Sequence, residues 1–360
     1  MKKILMFLLL LLLPIKILAI SASSAIAMDL DTGRVLYGYN TNEAKLIAST
    51  TKIMTAIIAI EKGDLNKEIE VTDIIYEAYG SAIYIEVGEK ITLKDLIYGL
   101  MLRSGNDAAL VIAKEVCGSE EEFVYLMNEY AGNLNMNNTI FYNPHGLEES
   151  NGNANKSTTY DMAKLTKYAM GNSIFREIFK TKKHTVKTNY KTYVWNNKNK
   201  LLSLDYITGG KTGFTELARR TLVTTGSKNN INIVVVTLND PNDWQDHKSI
   251  YENIFNNYES IELINKDKFE VNSRDYYEED NLYVKNNYSM TLTKKELSNV
   301  TLNINLMKLD DYVNDAIVGY VEVKLNDVIY HKEPVYVLKK EDVPKESNWW
   351  TKFKGWLFKW

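Results

Sequence analysis

The run Ile231–Leu238, INIVVVTL, is apolar at six of its eight positions. A strand without the in–out alternation of a half-exposed sheet is buried on both faces. Such a strand must be covered, and the neighbouring sequence has the material to do it. TLVTTG, just upstream, reads as a second strand, and Gly209 and Gly210 introduce a third that carries KTGFT. Further back, KIMTAIIAIEKG repeats Ile53, Met54, Ile57 and Ile58 at helical spacing and stops at Gly63. ITLKDLIYGLMLR, NDAALVIAKEV, EEFVYLMNEYAGNL and TTYDMAKLTKYAM are also helical, and HKSIYENIFNNY closes the series. SAIAMDLDTGRVLYGYN reads as a hairpin turning at Asp31-Thr32-Gly33, and Asn143 to Lys156 as a polar loop. Helices and strands are mixed, which places the chain in the α/β (α+β) class.

The character changes after about Tyr258. Short alternating segments such as VTLNINLM, GYVEVKL and PVYVLKK predict a small β domain. The chain ends on KESNWWTKFKGWLFKW. On a helix, Trp349, Trp350, Phe353, Trp356, Leu357 and Trp360 form one stripe, at about 100° per residue, with lysines on its flanks. Phe358 falls on the opposite side, and Gly355 weakens the helix by about 1 kcal/mol. Indoles flanked by lysines predict a helix lying on a membrane surface.

At the other end, Lys2 and Lys3 precede an apolar run from Ile4 to Leu13, followed by the small residues of LAISASS. This is the layout of a secretory leader, with cleavage between Ala19 and Ser23. The apolar run is short of the ~20 residues a membrane span needs. The expected organisation is therefore a leader over 1–23, a main domain over 24–258, a β-rich domain over 259–342 and an amphipathic helix over 343–360. The mature chain is expected outside the cytoplasm. Its single cysteine, Cys117, forms no intrachain disulfide and is read as a buried core residue. A net charge of −3 gives no field for nucleic acid. Four histidines and one cysteine support a zinc site poorly, His184, His247 and His331 carry no motif, and no metal is expected.

Three short motifs carry chemistry. Ser49 and Lys52 in IASTTKIM lie one turn apart at a helix start. A serine hydroxyl needs a base to become a nucleophile. Lys52 can serve if burial or a neighbouring cation holds it neutral. Free N–H groups at the helix start help a developing oxyanion. Ser104-Gly105-Asn106 sits between two helices, where polar side chains can project into a cleft. In Lys211-Thr212-Gly213, lysine and glycine share one strand face. The lysine can attract a carboxylate and the glycine leaves room for a ligand. Taken singly, these are a helix start, an N-cap and a lysine-guarded edge strand.

Together and in this order they are the motif set of class A β-lactamases and penicillin-binding proteins. IYIEVGEKITLKDLIYGLMLRSGNDAA, AMDLDTGRVLYGYN, NPHGL, STTYDMAKL and KTGFT further resemble the D-alanyl-D-alanine carboxypeptidases, the S11 family of serine peptidases. The resemblance runs from about Ser24 to Tyr258. It implies a β-lactamase/transpeptidase-like fold, an antiparallel sheet with a helical cluster, followed by a small β domain and a terminal helix. By position it implies Ser49 as nucleophile, Lys52 as base and Ser104 as proton relay. It places Asn106 on the substrate amide and Lys211, Thr212 and Gly213 along the carboxylate of D-alanine. The N–H groups of Ser49 and Phe214 would form the oxyanion hole. The implied partners are peptidoglycan stem peptides ending in D-Ala-D-Ala and, as inhibitors, β-lactams; no cofactor is implied. Arg219 stands where the family usually has glycine, which either adds charge near the carboxylate pocket or re-aims the turn. His145 in NPHGL is read as ordering its own loop.

The rival activities part ways after acylation. A class A β-lactamase deacylates with a glutamate, expected in E-x-x-L-N between the second and third motifs. The only Leu-Asn in that interval, Leu134-Asn135, has Ala131 where the glutamate belongs, and the one E-x-x-L-N, Glu322 to Asn326, lies beyond K-T-G. A transpeptidase, passing the acyl group to an amine, is the second rival, though its high-molecular-mass relatives carry more domains than this chain can hold. D,D-endopeptidase action on cross-links uses identical chemistry. A catalytically silent scaffold is the third alternative, against which the intact motifs argue.

Overall fold

The computed structural model describes residues 20–271, 276–277 and 281–339. The apolar run of the leader and the C-terminal tryptophan stripe lie outside the described residues. The chain divides into two compact units between Asn257 and Tyr258.

The first unit is built on a five-stranded antiparallel sheet. Its strands are β1 (Ser24–Asp29), β2 (Val35–Tyr39), β3 (Ile207–Thr215), β4 (Arg219–Lys228) and β5 (Ile231–Leu238), in the order β2-β1-β5-β4-β3. The apolar run is thus the central strand. Val234, Val236 and Leu238 join the main core with the helices, while Thr237 on the other face binds the ring of His247. The helices are α1 (Lys52–Lys62), α2 (Leu93–Arg103), α3 (Asn106–Cys117), α4 (Glu120–Asn133), α5 (Thr159–Met170), α6 (Ser173–Lys180) and α7 (Asp243–Asn257). In α1 every residue from Lys52 to Ile60 is buried, as expected of a helix apolar almost all round. Packing against other helices, not its own propensity, holds such a helix.

Some expectations change. Gly209 and Gly210 lie inside β3, which begins at Ile207. A Cβ at Gly209 would stand 2.3 Å from Phe179, and one at Gly210 2.2 Å from Asn199. Here glycine admits close packing instead of a turn. The two-turn helix α6 and the hairpin Lys183–Lys187/Thr192–Asn196 were not anticipated. Cys117 is only half-buried, because it ends α3 and packs at the margin of the core.

The second unit is a β domain. A ribbon pairs β6 (Tyr258–Ile264) with β8 (Tyr288–Thr293). A four-stranded antiparallel sheet has the order β7 (Asn281–Val284), β11 (Val328–Leu338), β10 (Ala316–Leu325), β9 (Val300–Leu306). Val318, Val323, Val335 and Val337 form its fully buried centre. Glu322 belongs to this unit, where its carboxylate binds Lys332 and Lys324.

Candidate active site

The turn Ala48–Thr51 leads directly into α1. Ala48 sits in the left-handed region at φ 46°. Strain at a non-glycine residue persists where the surroundings hold it, and here they do. Thr221 Oγ1 donates to Ile47 O at 3.1 Å, and Gly146 abuts the Ala48 carbonyl so closely that a Cβ there would stand 2.0 Å away. The loop carrying Gly146 is itself pinned to the helix start, since Asn155 Nδ2 donates to Thr51 Oγ1 at 3.0 Å and to Asn143 O at 2.8 Å.

Lys52 is completely buried. Its Nζ donates to Asn106 Oδ1 at 2.7 Å and to His145 O at 2.6 Å, and lies 3.1 Å from Ser49 Oγ. Burial first, then the nearby Lys211 and Lys198, push this lysine well below its ordinary range. A neutral amine has two hydrogens and one lone pair. With both hydrogens taken by the amide and the carbonyl, the lone pair is left for Ser49.

Ser104 ends α2 at φ 64°, a left-handed C-cap, and Asn106 opens α3. This sharp turn aims both side chains inward, and both are buried. Asn106 Nδ2 donates to Tyr79 O at 2.5 Å, which fixes the amide with its oxygen toward Lys52. Asp107 holds the adjoining strand of chain by accepting from the N–H groups of Ile83 and Tyr84 at 3.0 and 2.8 Å.

Lys211 reaches across from β3. Its Nζ donates to Ser104 Oγ at 3.0 Å and to Thr212 O at 2.6 Å. Burial, with Lys198 second, lowers it to about 7. Because β3 ends the sheet, one edge of it is unpaired within the sheet. Gly213 brings that strand against the nucleophile turn, where a Cβ would stand 2.9 Å from Ser49 N and 2.4 Å from Thr221 Oγ1. An extended peptide laid along such an edge gains backbone hydrogen bonds.

Ser49, Lys52, Ser104, Asn106, Lys211 and Gly213 therefore meet in one place. Thr212 enters through its carbonyl, and Phe214 comes next with a side chain 54% exposed. Arg219 lies at φ 59° with its side chain turned to Glu216 at 3.3 Å, so the position favours glycine for its backbone. His145 orders its loop, its Nδ1 accepting from Leu147 N at 3.2 Å. The carbonyl of His145, Asp107 and Lys198 were missed. Backbone acceptors carry no residue signature, and Lys198 comes near only through folding of the segment between α6 and β3.

A serine beside a buried lysine, set between a helical cluster and the edge strand of an antiparallel sheet, is the arrangement of serine peptidases of the penicillin-binding-protein type. Residues 14–242 match the family described as D-alanyl-D-alanine carboxypeptidase, and the chain belongs to that family. Residues 258–345 match the C-terminal domain of penicillin-binding protein 5. The carboxypeptidase DacF of Bacillus subtilis is 36% identical over 226 residues, covering 61% of this chain and 57% of DacF. DacC of Escherichia coli is 28% identical over 345 residues, covering 89% and 84%. The crystal structure of penicillin binding protein 5 from Haemophilus influenzae shares the fold, with a TM-score of 0.74 at 24% identity over 89% of this chain and 98% of that one.

Proposed function

We propose that the chain is a serine-type D-Ala-D-Ala carboxypeptidase of peptidoglycan stem peptides, acylated at Ser49 by substrate and by β-lactams. The observation that carries this is the environment of Lys52, whose two hydrogen-bond acceptors leave its lone pair for Ser49.

Ser49 Oγ attacks the carbonyl between the two D-alanines while Lys52 takes its proton. The N–H groups of Ser49 and Phe214 receive the oxyanion, and Asn106 holds the substrate amide. Lys211, with Thr212 and Gly213 along the strand edge, holds the terminal carboxylate. Ser104, bonded to Lys211, passes a proton to the departing amine of D-alanine and is reprotonated in exchange with the proton Lys52 took from Ser49, so that Lys52 is neutral again. Water then enters, loses a proton to Lys52 and cleaves the ester, restoring Ser49. Each proton transfer of this kind contributes about 10²–10⁴-fold.

The leader and the tail support a mature enzyme working on the outer face of the cytoplasmic membrane. Among the described residues no helix is long and apolar enough to cross a membrane. Two measurements test the proposal. D-alanine release from a diacetyl-Lys-D-Ala-D-Ala peptide should be lost in Ser49→Ala, and no release by the unmutated chain would refute the activity. Sedimentation with anionic vesicles should be lost on deleting residues 345–360, and equal binding without them would refute the anchor.

A further inference from the structure

Two aspartates lie together at the end of the sheet, and among the described residues neither has a cation as its partner. Asp240, just after β5, is fully buried, and Asp246 in α7 is 6% exposed. Asp240 Oδ1 accepts from Asn242 N at 3.1 Å, but among the described residues its buried Oδ2 has no hydrogen-bond partner. Among the described residues no lysine or arginine forms an ion pair with either carboxylate. Arg220 is committed to Asp243 at 2.7 Å. Burial first, then Asp246, raises Asp240 to about 6. A close carboxylate pair in a dry setting needs a proton or a positive partner.

The start of the described chain occupies the pair. Ser21 N donates to Asp246 Oδ2 at 2.5 Å, and Ser21 Oγ donates to Asp240 Oδ1 at 2.9 Å and Asp246 Oδ2 at 2.8 Å. Ser23 N continues the attachment to Asn239 O at 3.1 Å. Ser21 lies within the stretch where the leader is expected to be cut. A neutral serine brings no positive charge to the pair.

We propose that Asp240 and Asp246 are the docking site for the α-ammonium group of the processed chain, created when the leader is removed ahead of Ser21. The inference rests on the leader reading. A leader peptidase hydrolyses the peptide bond before Ser21, whose nitrogen already lies 2.5 Å from Asp246 Oδ2. Water supplies the hydroxyl of the leader's new carboxylate, and the released nitrogen takes up protons to become an ammonium group at neutral pH. That charge arrives beside Asp246, with Tyr37, Asp243 and Arg220 as the other titratable groups nearby. Processing thereby adds an ion pair that the precursor lacks and ties β1 to the β5–α7 corner.

The first test is the N-terminal residue of the secreted chain, found by peptide mass mapping. Ser21 is expected. Any other first residue, or an uncut leader, overturns the proposal. The second test is the rate at which the α-amine of the folded mature chain reacts with an acylating reagent at pH 7, compared with the same chain unfolded. Docking predicts about tenfold slower reaction in the folded chain, with the protection reduced in both Asp246→Asn and Asp240→Asn. Blocking the amine by acetylation should lower the thermal midpoint by about 2–4 °C in the unmutated chain and by less in Asp246→Asn. Equal rates folded and unfolded, or equal losses in both backgrounds, would overturn it. None of these readouts depends on peptidase activity, so failure here and failure of D-alanine release are separate results.

Discussion

Lys211 on the edge strand and Ser104 at the left-handed end of α2 are joined by one hydrogen bond of 3.0 Å, which closes the cleft between sheet and helices. The pair links the group proposed to hold the substrate carboxylate to the group proposed to protonate the leaving amine. Burial lowers Lys211 to about 7, with Lys198 second, so its charge changes near neutrality. It is charged below that value and neutral above it.

The first prediction concerns pH. kcat/KM reports ionisations of the free enzyme. For a peptide acid it should therefore fall as pH rises through about 7, because the carboxylate partner loses its charge. Acylation by a penicillin should share this limb, and acylation by its methyl ester should not. The check is the second-order acylation rate of both between pH 5 and 9; identical profiles would remove Lys211 from carboxylate binding. The effect on stability runs the other way. Between about 7 and the unfolded lysine value of about 10.4, the unfolded chain binds the extra proton, so stability rises with pH. Lys211→Gln should flatten that rise in thermal midpoint.

A second prediction comes from Gly213. The Cβ of Gly213→Ala would press on Ser49 N and Thr221 Oγ1, displacing a donor proposed for the oxyanion. Removing one such donor costs about 10²–10³-fold. Acylation should fall by that order, with a smaller drop in thermal midpoint than at Gly146, because the backbone atom met by the Cβ lies at 2.9 Å here and at 2.0 Å there. Unchanged acylation would show that the hole lies elsewhere.

Gly146 should behave differently. It lies at φ 90°, and a Cβ would collide with the Ala48 carbonyl. Gly146→Ala should cost about 1–3 kcal/mol of stability, and the loop it displaces also carries the His145 carbonyl that binds Lys52. Thermal melting and acylation should therefore worsen together, in contrast to Gly213→Ala.

The central strand, the helices with apolar faces and the three motifs were legible in the sequence because each depends on local spacing. The site's electrostatics were legible only in part. That Lys52 needed burial could be argued from chemistry, but the His145 carbonyl and the Asn106 amide that orient it come from loops far away in sequence. Gly209 and Gly210 read as introducing the strand instead of lying inside it, because glycine ahead of a strand and glycine under a packed side chain within one look alike in sequence. The hairpin Lys183–Lys187/Thr192–Asn196 was missed because its alternation is carried by few apolar residues, Val186, Tyr193 and Trp195 inward.

The most direct measurement is the intact mass of the purified mature chain after exposure to a penicillin, with Ser49→Ala and Lys52→Met alongside. The expected result is one added penicillin on the unmutated chain, none on Ser49→Ala, and acylation slowed by at least about 10²-fold in Lys52→Met. An adduct that persists in Ser49→Ala, or acylation undiminished in Lys52→Met, would contradict the assignment of Ser49 and Lys52 as nucleophile and base.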